Sequence, residues 1–387
     1  MKTLLEYIDS KETQMLEFLA RLVNIDCGTY DKAGVDQVGD ILAERLAALD
    51  FDVQRDPQEK FGDHVIGTKP GGGNQHILFI GHMDTVFPAG TVPKRPFRIE
   101  GDRAFGPGVV DMKGGITCLL YALEALQNAA PETYRQIAMD VVFNSDEEVL
   151  SPTSTPLIAR FAKQAQAACV FEPARPGGEY VIQRKGVGKY ILTVAGRAAH
   201  AGAQPEDGRS AIEELAHKVI ALHALTDAAT GTNVNVGVIR GGERPNVVAA
   251  EAYAEIDIRV ADQPTAQAID RRIREIAAAS TVPDTTCELS GGLQFPPMLP
   301  TPESTRLFET LQKAGRAIGL DLRAVATGGG SDGNHAAQFT PTIDGMGPQG
   351  GGAHSDREYI EIATLAERAK VTALFLAEWS NVQKRQG

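Results

Sequence analysis

The sequence predicts an α/β protein whose first domain is interrupted by an inserted α+β domain. Between residues 76 and 172, short apolar runs alternate with helical patterns, an order typical of a mixed, mainly parallel sheet with helices on both faces. From residue 185 to 292 alternating strands predominate, and the α/β pattern then returns. The 387 residues also exceed the usual size of a single hydrophobic core. We therefore predict a first domain of residues 1–184 and 293–387 and an inserted domain of residues 185–292.

Apolar spacing predicts the elements of the first domain in order. Met15, Phe18, Leu19 and Leu22 recur at helical spacing, which predicts an amphipathic helix packed on a core and neither a signal peptide nor a membrane span. Short apolar runs predict strands, and helical patterns separate them. The strands are predicted at 76–80, 137–143, 168–171, 322–326 and 342–345, and the helices at 116–127, 156–166, 302–318 and 360–379.

The inserted domain shows the alternation of apolar and polar residues that is typical of half-buried antiparallel strands. Its strands are predicted at 188–194, 233–239 and 252–259, and its helices at 210–225 and 265–278. A segment with this set of elements is large enough to form a domain of its own.

The charge balance and the cysteines exclude some classes of function. The 38 Lys and Arg against 50 Asp and Glu give a formal net charge of −12, and we find no basic run with interleaved aromatic residues. The sequence therefore predicts no nucleic-acid partner and, without an apolar span, no membrane partner. The four cysteines are scattered without a CxxC pair, and three lie in apolar surroundings. This pattern predicts reduced thiols and a cytoplasmic location.

Histidines and carboxylates follow the ends of three predicted strands and lie in two glycine-rich loops. Because ligands bind outside the carboxyl ends of the strands in α/β sheets, these groups should meet at one edge although they are far apart in the sequence. Imidazoles and carboxylates without thiolates are typical ligands of hard or borderline divalent metals. The candidate residues are His82, Asp84, Asp111, Glu147, Glu148, Glu172 and His354.

The spacing of these residues suggests separate roles. His82 and Asp84 are two residues apart at a strand end, so their side chains point to the same side and the carboxylate can orient the imidazole. The adjacent Glu147 and Glu148 point in different directions, so that one can bind metal while the other acts as a general base. Taken singly, each has a plainer reading: an acidic pair or a histidine is usually solvated surface, and Asp111 before a predicted helix fits an N-cap.

Seven motifs resemble those of one enzyme family and occur in that family's order. They are HMDTV, GPGVVDMKGG, NSDEE, FEPAR, GRAAHAG, NVVAAEAYAEIDIRV and GGAHSDREYI, and they run from residue 82 to 360. The family is that of the di-zinc metallopeptidases, with glutamate carboxypeptidase, acetylornithine deacetylase, succinyl-diaminopimelate desuccinylase and aminoacylase. The motifs look closest to those of glutamate carboxypeptidase. The resemblance implies a zinc-exopeptidase-like catalytic domain, an inserted dimerisation (lid) domain and a homodimer.

The resemblance also implies a set of metal ligands. Asp111 would bridge two zinc ions, for which Co²⁺ or Mn²⁺ can substitute. His82 and Glu172 would complete one metal site, and Glu148 and His354 the other. The tight glycine-rich turn around Asp111 would then serve a carboxylate that faces two cations at once.

The remaining motifs imply roles in catalysis and substrate binding. Glu147 is implied as the general base and acid, and Asp84 as the residue that orients the imidazole of the first motif. His200 is implied to donate a hydrogen bond to the tetrahedral oxyanion, in the site of a partner subunit. Arg259, with Asn246, matches the pair that binds the substrate's free carboxylate, for which a bidentate guanidinium is well suited.

Each substrate-side assignment has a plainer alternative. His200 can cap a turn, and Arg259 can form a salt bridge on an exposed strand. The loop of Thr327 and Gly328, Gly329 and Gly330 looks like the family's loop beside the substrate backbone, or it packs as a flexible loop. Four histidines match no family ligand and are predicted to be structural: His64, His76, His217 and His223. His335 closely follows the glycine loop and is predicted to lie at the surface.

Departures from the family pattern bear on the substrate. No cation stands at Tyr180 or at residues 292–293, where glutamate-selective relatives carry basic residues, and Ala249 replaces a proline of the family's Asn-x-x-Pro. Residues 183–186, QRKG, resemble a segment of the deacylases.

The sequence therefore predicts a zinc-dependent hydrolase that cleaves an amide or peptide bond next to a free α-carboxylate in a small-molecule substrate. The two alternatives are a glutamate-carboxypeptidase-like exopeptidase and an N-acyl-amino-acid deacylase. A catalytically silent binding protein would need a lost ligand or base, and none is lost.

Overall fold

A six-stranded sheet with helices on both faces forms the centre of the first of two units. The computed structural model describes residues 2–383. The first unit comprises the chain through Gln183, Leu299–Ala326 and the chain from Ser331 onward, and the second comprises Arg184–Met298 and Thr327–Gly330.

The elements are numbered in chain order. The helices are α1 (Lys2–Asp9), α2 (Glu12–Val23), α3 (Lys32–Ala48), α4 (Gly114–Ala129), α5 (Pro131–Gln136), α6 (Thr155–Ala162), α7 (Ala211–His223), α8 (Gln263–Ala278), α9 (Pro302–Arg316), α10 (Gly333–Ala336) and α11 (Ile362–Gln383). The strands are β1 (Asp52–Asp56), β2 (His64–Lys69), β3 (Gln75–His82), β4 (Arg98–Glu100), β5 (Arg103–Phe105), β6 (Ile137–Asn144), β7 (Ala167–Val170), β8 (Tyr180–Arg184), β9 (Gly186–Ala195), β10 (Asn233–Gly241), β11 (Glu251–Val260), β12 (Thr286–Phe295), β13 (Ala324–Thr327), β14 (Thr342–Ile343), β15 (Gly350–Gly351) and β16 (Tyr359–Glu361).

The large sheet of the first unit has the strand order β1-β2-β6-β3-β7-β14. Strand β3 is parallel to β6 and β7, and β7 is parallel to β14. Strands β1 and β2 are antiparallel additions on the side of β6. The predicted mixed, mainly parallel sheet is therefore confirmed. Its register places His82, the last residue of β3, opposite Asn144, the last residue of β6.

Alternate residues of β3 enter two cores on opposite faces of this sheet. Ile77 and Phe79 belong to one core, and Leu78 and Ile80 belong to another that includes residues of α6. A strand covered on both faces needs apolar residues at every position. This burial explains why β3 reads in the sequence as a continuous apolar run.

The N-terminal helical pattern divides between α1 and α2. In α2 the residues Met15, Phe18, Leu19 and Leu22 are at most 8% exposed, as their spacing predicts. Within residues 2–383, no helix combines the length and the apolarity that a membrane span requires.

The second unit is built on a four-stranded antiparallel sheet of order β10-β11-β9-β12. Leu192 of β9 shares a core with Leu215 of α7 and Ile273 of α8. Both helices begin at a side-chain cap, since Ser210 and Asp262 each accept a backbone N–H from the first turn.

The bounds of the second unit differ from those predicted for the inserted domain. Strand β12 extends to Phe295 because the glycines at 291–292 continue the ladder with β9 and do not end the strand. In the loop at 327–330, two carbonyl groups accept hydrogen bonds from Nη1 of Arg184, at 3.1 and 3.3 Å. Residues 293–298 and this loop therefore belong to the second unit, whereas the sequence assigned them to the first domain.

Candidate metal centre

Three strand ends of the first unit bring the candidate ligands together. His82 ends β3, the acidic turn that contains Glu147 and Glu148 follows β6, and Glu172 lies two residues after β7. Since β3 is parallel to both neighbours, these carboxyl ends lie at one edge of the sheet. His82 and Glu172 are buried, with 1% and 7% of their surface exposed.

Asp111 lies between two imidazoles. Its Oδ1 is 3.1 Å from Nε2 of His82, and its Oδ2 is 3.1 Å from Nε2 of His354. The same nitrogen of His82 lies 3.6 Å from Oε1 of Glu172, and that of His354 lies 3.2 Å from Oε2 of Glu148. One carboxylate thus faces two histidines, and each histidine has a further carboxylate beside it.

The turn that carries Asp111 is held by a buried carboxylate far along the chain. Glu358 accepts hydrogen bonds from the backbone N–H groups of Gly108, Val110 and Asp111, at 2.9, 2.9 and 3.1 Å. Gly108 has a φ of 73°, which glycine adopts without strain. Burial raises the pKa of Glu358 to about 7, although the three backbone hydrogen bonds oppose that rise. Sequence reasoning missed Glu358, and its only signal was a place in the motif GGAHSDREYI.

Asp84 supports both an imidazole and the acidic turn. Nδ1 of His82 lies 3.0 Å from the main-chain oxygen of Asp84 and 3.5 Å from its carboxylate. The carboxylate of Asp84 accepts the hydroxyl of Thr29 at 2.7 Å and the N–H groups of Glu147 and Glu148, each at 3.3 Å. The predicted orienting role is compatible with this geometry, and Thr29 is an additional contact that the sequence did not reveal.

The side chains of the acidic turn lie among other carboxylates. Burial raises the pKa of Glu147 well above its ordinary value, with Glu172 and Asp332 adding to the rise. Burial also raises the pKa of Glu148. Within the part of the chain that the structure describes, Oε1 of Glu148 is buried and has no hydrogen-bond partner. An orphaned carboxylate oxygen at this position is suited to a metal ion.

The donor set fits divalent cations. Ligand atoms of His82, Asp111 and Glu148 lie within 4.8 Å of one another, and so do those of His82, Glu147 and Glu172. The hydrogen bonds that His354 donates to Asp111 and Glu148 raise the pKa of His354 to about 10, a sign of concentrated negative charge. Burying this many carboxylates together is costly unless cations compensate them.

The composition of these groups bears on the predicted roles. Oxygen and imidazole ligands without thiolates suit zinc, cobalt or manganese. In the group of His82, Glu147 and Glu172, Glu147 stands where the sequence-based prediction has Asp111. The same prediction makes Glu147 the general base and not a metal ligand. The division between ligands and base therefore stays a prediction.

In the second unit, His200 is exposed and is held through one ring nitrogen. Its Nδ1 accepts the backbone N–H groups of Gly202 and Ala203, at 3.2 and 3.1 Å. A neutral ring accepting at Nδ1 carries its proton on Nε2. The neighbouring Ala201 donates its N–H to the carbonyl of Asn246 at 3.1 Å, so these two candidates lie in adjacent loops.

Arg259 forms a salt bridge, and the glycine loop at 327–330 packs on neighbouring residues, as their non-catalytic alternatives predict. Nε and Nη2 of Arg259 donate to the two carboxylate oxygens of Asp257, at 2.9 and 3.0 Å. The carbonyl of Thr327 accepts the N–H of Lys185 at 3.1 Å, and the next residues contact Arg184 as described above. The substrate roles of Arg259, Asn246, His200 and this loop stay predictions.

The prediction that His335 lies at the surface is wrong. Only 4% of its surface is exposed, because α10 packs against α6 and places Nε2 at 3.1 Å from the hydroxyl of Thr155. Burial lowers the pKa of His335 to about 4. His64, predicted to be structural, is buried between Ser145 and Thr153.

Comparison with known proteins extends these observations. The model of peptidase family M20/M25/M40 matches residues 78–378. The chain is 32% identical over 377 residues to carboxypeptidase G2 of Pseudomonas sp. strain RS-16, covering 95% of this chain and 90% of that protein. It is 27% identical over 256 residues to N-acetyl-L-citrulline deacetylase of Xanthomonas campestris pv. campestris, covering 63% of this chain and 66% of that protein.

A solved structure shares the fold. Aminopeptidase PepT from Bacillus cereus ATCC 10987 matches with a TM-score of 0.77 and 22% identity, covering 95% of this chain and 98% of that one. The YXEP protein of Bacillus subtilis, described as a dinuclear metal binding peptidase of the M20 family, matches with a TM-score of 0.68 and 14% identity, covering 95% of this chain and 98% of that one. The resemblance stated from the motifs is confirmed: the chain belongs to peptidase family M20/M25/M40 and is a metallopeptidase or amidohydrolase.

Proposed function

We propose that this enzyme is a zinc-dependent carboxypeptidase that cleaves an amide or peptide bond next to a free α-carboxylate. The position of Asp111 between His82 and His354 carries the proposal, because one carboxylate that faces two imidazoles suits a pair of divalent cations. The 32% identity to a protein named carboxypeptidase G2 supports the type of reaction.

Five side chains would hold the metal ions. Asp111 would be shared, His82 and Glu172 would belong to one ion, and Glu148 and His354 to the other. Bound divalent ions would lower the pKa of water and polarise the carbonyl group of the substrate. The protein contributes by fixing these ligands in advance, through the hydrogen bonds that hold the turns from which they project.

Glu147 would move the proton in this reaction. A buried carboxylate with a raised pKa accepts a proton from water more readily than an exposed one, and it can return that proton to the departing amine. The carboxylate of Asp84 holds the backbone N–H of Glu147. The base would therefore be positioned independently of the substrate.

Substrate selection would come from the second unit. Arg259, with Asn246, would bind the free α-carboxylate, and Nε2 of His200 would donate a hydrogen bond to the carbonyl oxygen that becomes negative. The loop of Thr327 and Gly328–Gly330 would contact the substrate backbone. The charge and planarity of Arg259, and the donor tautomer of His200, support these roles.

A homodimer formed through the second unit is part of this proposal. Strand β10 lies at the edge of its sheet, and Ile239 on it is 56% exposed. On α7, Ile212 and Ile220 are 46% and 71% exposed. An open strand edge beside exposed apolar side chains suits a twofold contact. We also propose a cytoplasmic location, which the four free cysteines support.

An N-acyl-amino-acid deacylase is the second candidate. Tyr180 carries no positive charge and is fully buried, so its side chain cannot form an ion pair with the side-chain carboxylate of a glutamate substrate. The similarity to N-acetyl-L-citrulline deacetylase also supports this candidate. The two candidates break the same kind of bond and differ in which half of the substrate is selected.

A substrate panel tests the proposal. The zinc-loaded enzyme would be incubated with dipeptides and N-acyl amino acids, each as the free acid and as the C-terminal amide, and release of the amino acid would be measured. We expect hydrolysis of the acids and little of the amides. Equal hydrolysis of acids and amides would show a broader amidase, and preference between acyl and peptidyl substrates would separate the two candidates.

A further inference from the structure

Asp332 is a buried carboxylate that has no place in the proposed reaction. It lies just before α10, and 1% of its surface is exposed. Its Oδ1 accepts the hydroxyl of Ser151 at 2.5 Å, and its Oδ2 accepts the amide of Asn144 at 2.7 Å. These two partners flank Glu147 and Glu148, one on each side. A single side chain from a distant part of the chain therefore contacts both ends of the acidic turn.

The far end of the acidic turn has a backbone that needs support. Leu150 and Ser151 have φ values of 73° and 52°, in the left-handed region that residues with a Cβ disfavour. Within the turn, the N–H of Leu150 donates to the carbonyl of Glu147 at 2.8 Å, and that of Ser151 donates to Asp146 at 2.9 Å. Strained conformations of this kind persist where surrounding contacts fix them. The hydrogen bond from Ser151 to Asp332 is such a contact.

The near end of the turn connects to the neighbouring strand. Asn144 ends β6, and its carbonyl accepts the N–H of Met83 at 2.8 Å, between His82 and Asp84. Its amide nitrogen donates to Asp332 and also to the hydroxyl of Ser154 at 2.9 Å. The orientation of Asn144 is thus fixed by groups behind the metal centre.

Among residues 3–380, no Lys or Arg forms an ion pair with Asp332, whose hydrogen-bond partners are the hydroxyl of Ser151 and the amide of Asn144. A buried carboxylate without a cation is unfavourable for folding, so its contacts with the turn suggest a task other than stability. The adjacent carboxylates of Glu147 and Glu148 also repel each other and tend to open the turn.

We propose that Asp332 is a positioning residue that clamps both ends of the acidic turn and so holds Glu147 and Glu148 at the metal centre. The roles of the two glutamates rest on the proposed function, whereas the clamp itself is a property of the protein without metal. The clamp acts through hydrogen bonds. An amide of the same shape should therefore replace the carboxylate, and a methyl group should not.

Hydrogen exchange of the metal-free protein tests the clamp directly. Asp332→Ala should speed exchange in peptides covering residues 145–154 by about tenfold or more, because local opening becomes easier. Asp332→Asn should leave this exchange near the wild-type rate. The matched control is Asp140→Ala, which removes a different buried carboxylate, on β6, that lies 2.7 Å from Nε2 of His76. If hydrogen exchange in these peptides is unchanged in Asp332→Ala, the clamp is overturned.

Steady-state kinetics test how the clamp affects catalysis. Loss of a residue that orients catalytic or metal-binding groups typically costs about 10–100-fold in activity. We expect Asp332→Ala to lower kcat by this factor while KM stays within a factor of about three. Asp332→Asn should retain most of the wild-type kcat, and Asp140→Ala should keep its kcat. Equal losses in Asp332→Ala and Asp332→Asn would assign the effect to charge and overturn the hydrogen-bond clamp.

If Asp332→Ala does not fold, a milder variant still tests the clamp. Ser151→Ala removes only one of the two contacts of Asp332, and it should raise local exchange and lower kcat less than Asp332→Ala does. Unchanged exchange and unchanged kcat in Ser151→Ala would contradict the clamp. If Glu147→Gln retained full activity, the proposed function would fail while the exchange result still decided the clamp.

Discussion

The charged groups of the two units are held in different ways. In the first unit, the turn of Asp111 is fixed by Glu358, 247 residues away, and the acidic turn is fixed by Asp84 and Asp332. In the second unit, the ring of His200 and the fork of Arg259 bind partners only two or three residues away. The first arrangement is buried and long-range, whereas the second is local and partly exposed.

This difference predicts which step of the reaction each unit should influence. Groups held by several long-range hydrogen bonds are fixed before substrate arrives, which is what a reacting centre requires. Groups held locally on a partly exposed surface can change partner when a ligand binds. We therefore expect changes in the first unit to act mainly on kcat and changes in the second to act mainly on substrate affinity.

Metal removal should have the largest effect. Chelation should abolish hydrolysis, and reconstitution should restore it with about two ions per chain, since the site offers ligands for two. Metal analysis of the dialysed and reloaded protein, alongside activity, checks this expectation. Full activity with a single tight ion per chain would mean that one group of ligands is dispensable.

Replacing Glu147, the proposed general base, should have the second largest effect. Glu147→Gln should lower kcat by about 10²–10⁴-fold, the size typical of a general acid–base contribution, and should leave the metal content near normal. The matched variant is Glu148→Gln, which should lose metal. Loss of metal in Glu147→Gln together with full metal in Glu148→Gln would reverse the two assignments.

Substrate affinity gives a smaller effect. Arg259→Ala should lower kcat/KM by about 30–1000-fold, equivalent to about 2–4 kcal/mol, because the substrate carboxylate loses a charged partner. The loss should shrink for substrates with a C-terminal amide. Arg274→Ala is the control, since Arg274 forms a similar two-bonded pair with Asp270 in the same unit. A loss that is equally large for acid and amide substrates would exclude a carboxylate contact at Arg259.

The smallest effect concerns the stability contributed by a pair of side chains on β3 and β6, His76 and Asp140. The hydrogen bond from His76 to Asp140 raises the pKa of His76, and burial only partly opposes it. A raised pKa stabilises the fold fully below the unfolded value near 6.5, and this contribution is lost as pH rises through the folded value. Asp140→Asn should therefore reduce the free energy of unfolding by about 1 kcal/mol or less at pH 5.5, and by less at pH 9.

Chemical denaturation of the metal-free protein at the two pH values measures this difference. His76→Gln should remove the pH dependence of the effect, because the imidazole whose pKa is raised is then absent. An effect of Asp140→Asn that grows with pH would contradict the assigned direction of the pKa shift.

The sequence was informative where a residue follows a regular pattern. Strands β3, β6 and β7 read as apolar runs because they are covered on both faces, and their ends indicated His82, Glu148 and Glu172 as neighbours. The order of elements likewise predicted the mixed sheet. Periodicity reflects local geometry, so it extends to whatever directly follows a strand or begins a helix.

Residues that act through long-range contacts gave no such signal. Glu358 and Asp332 were missed because a buried carboxylate looks like any surface acid until its donors are known. His335 was placed at the surface for the same reason, although α6 covers it. The end of the second unit was misplaced because the glycines at 291–292 look like a turn while they continue a strand.

The position of Glu358 along the chain has a consequence for synthesis. His82 and Asp111 leave the ribosome early, but the carboxylate that orders the turn of Asp111 is made 247 residues later. Domains generally begin to fold from the N-terminal side as they emerge. The nascent chain can therefore form β3 and β6 long before it can complete the metal-binding site. Loading with metal would then follow translation, so a ribosome-bound chain that stops before residue 354 should fold its early strands yet bind divalent ions poorly.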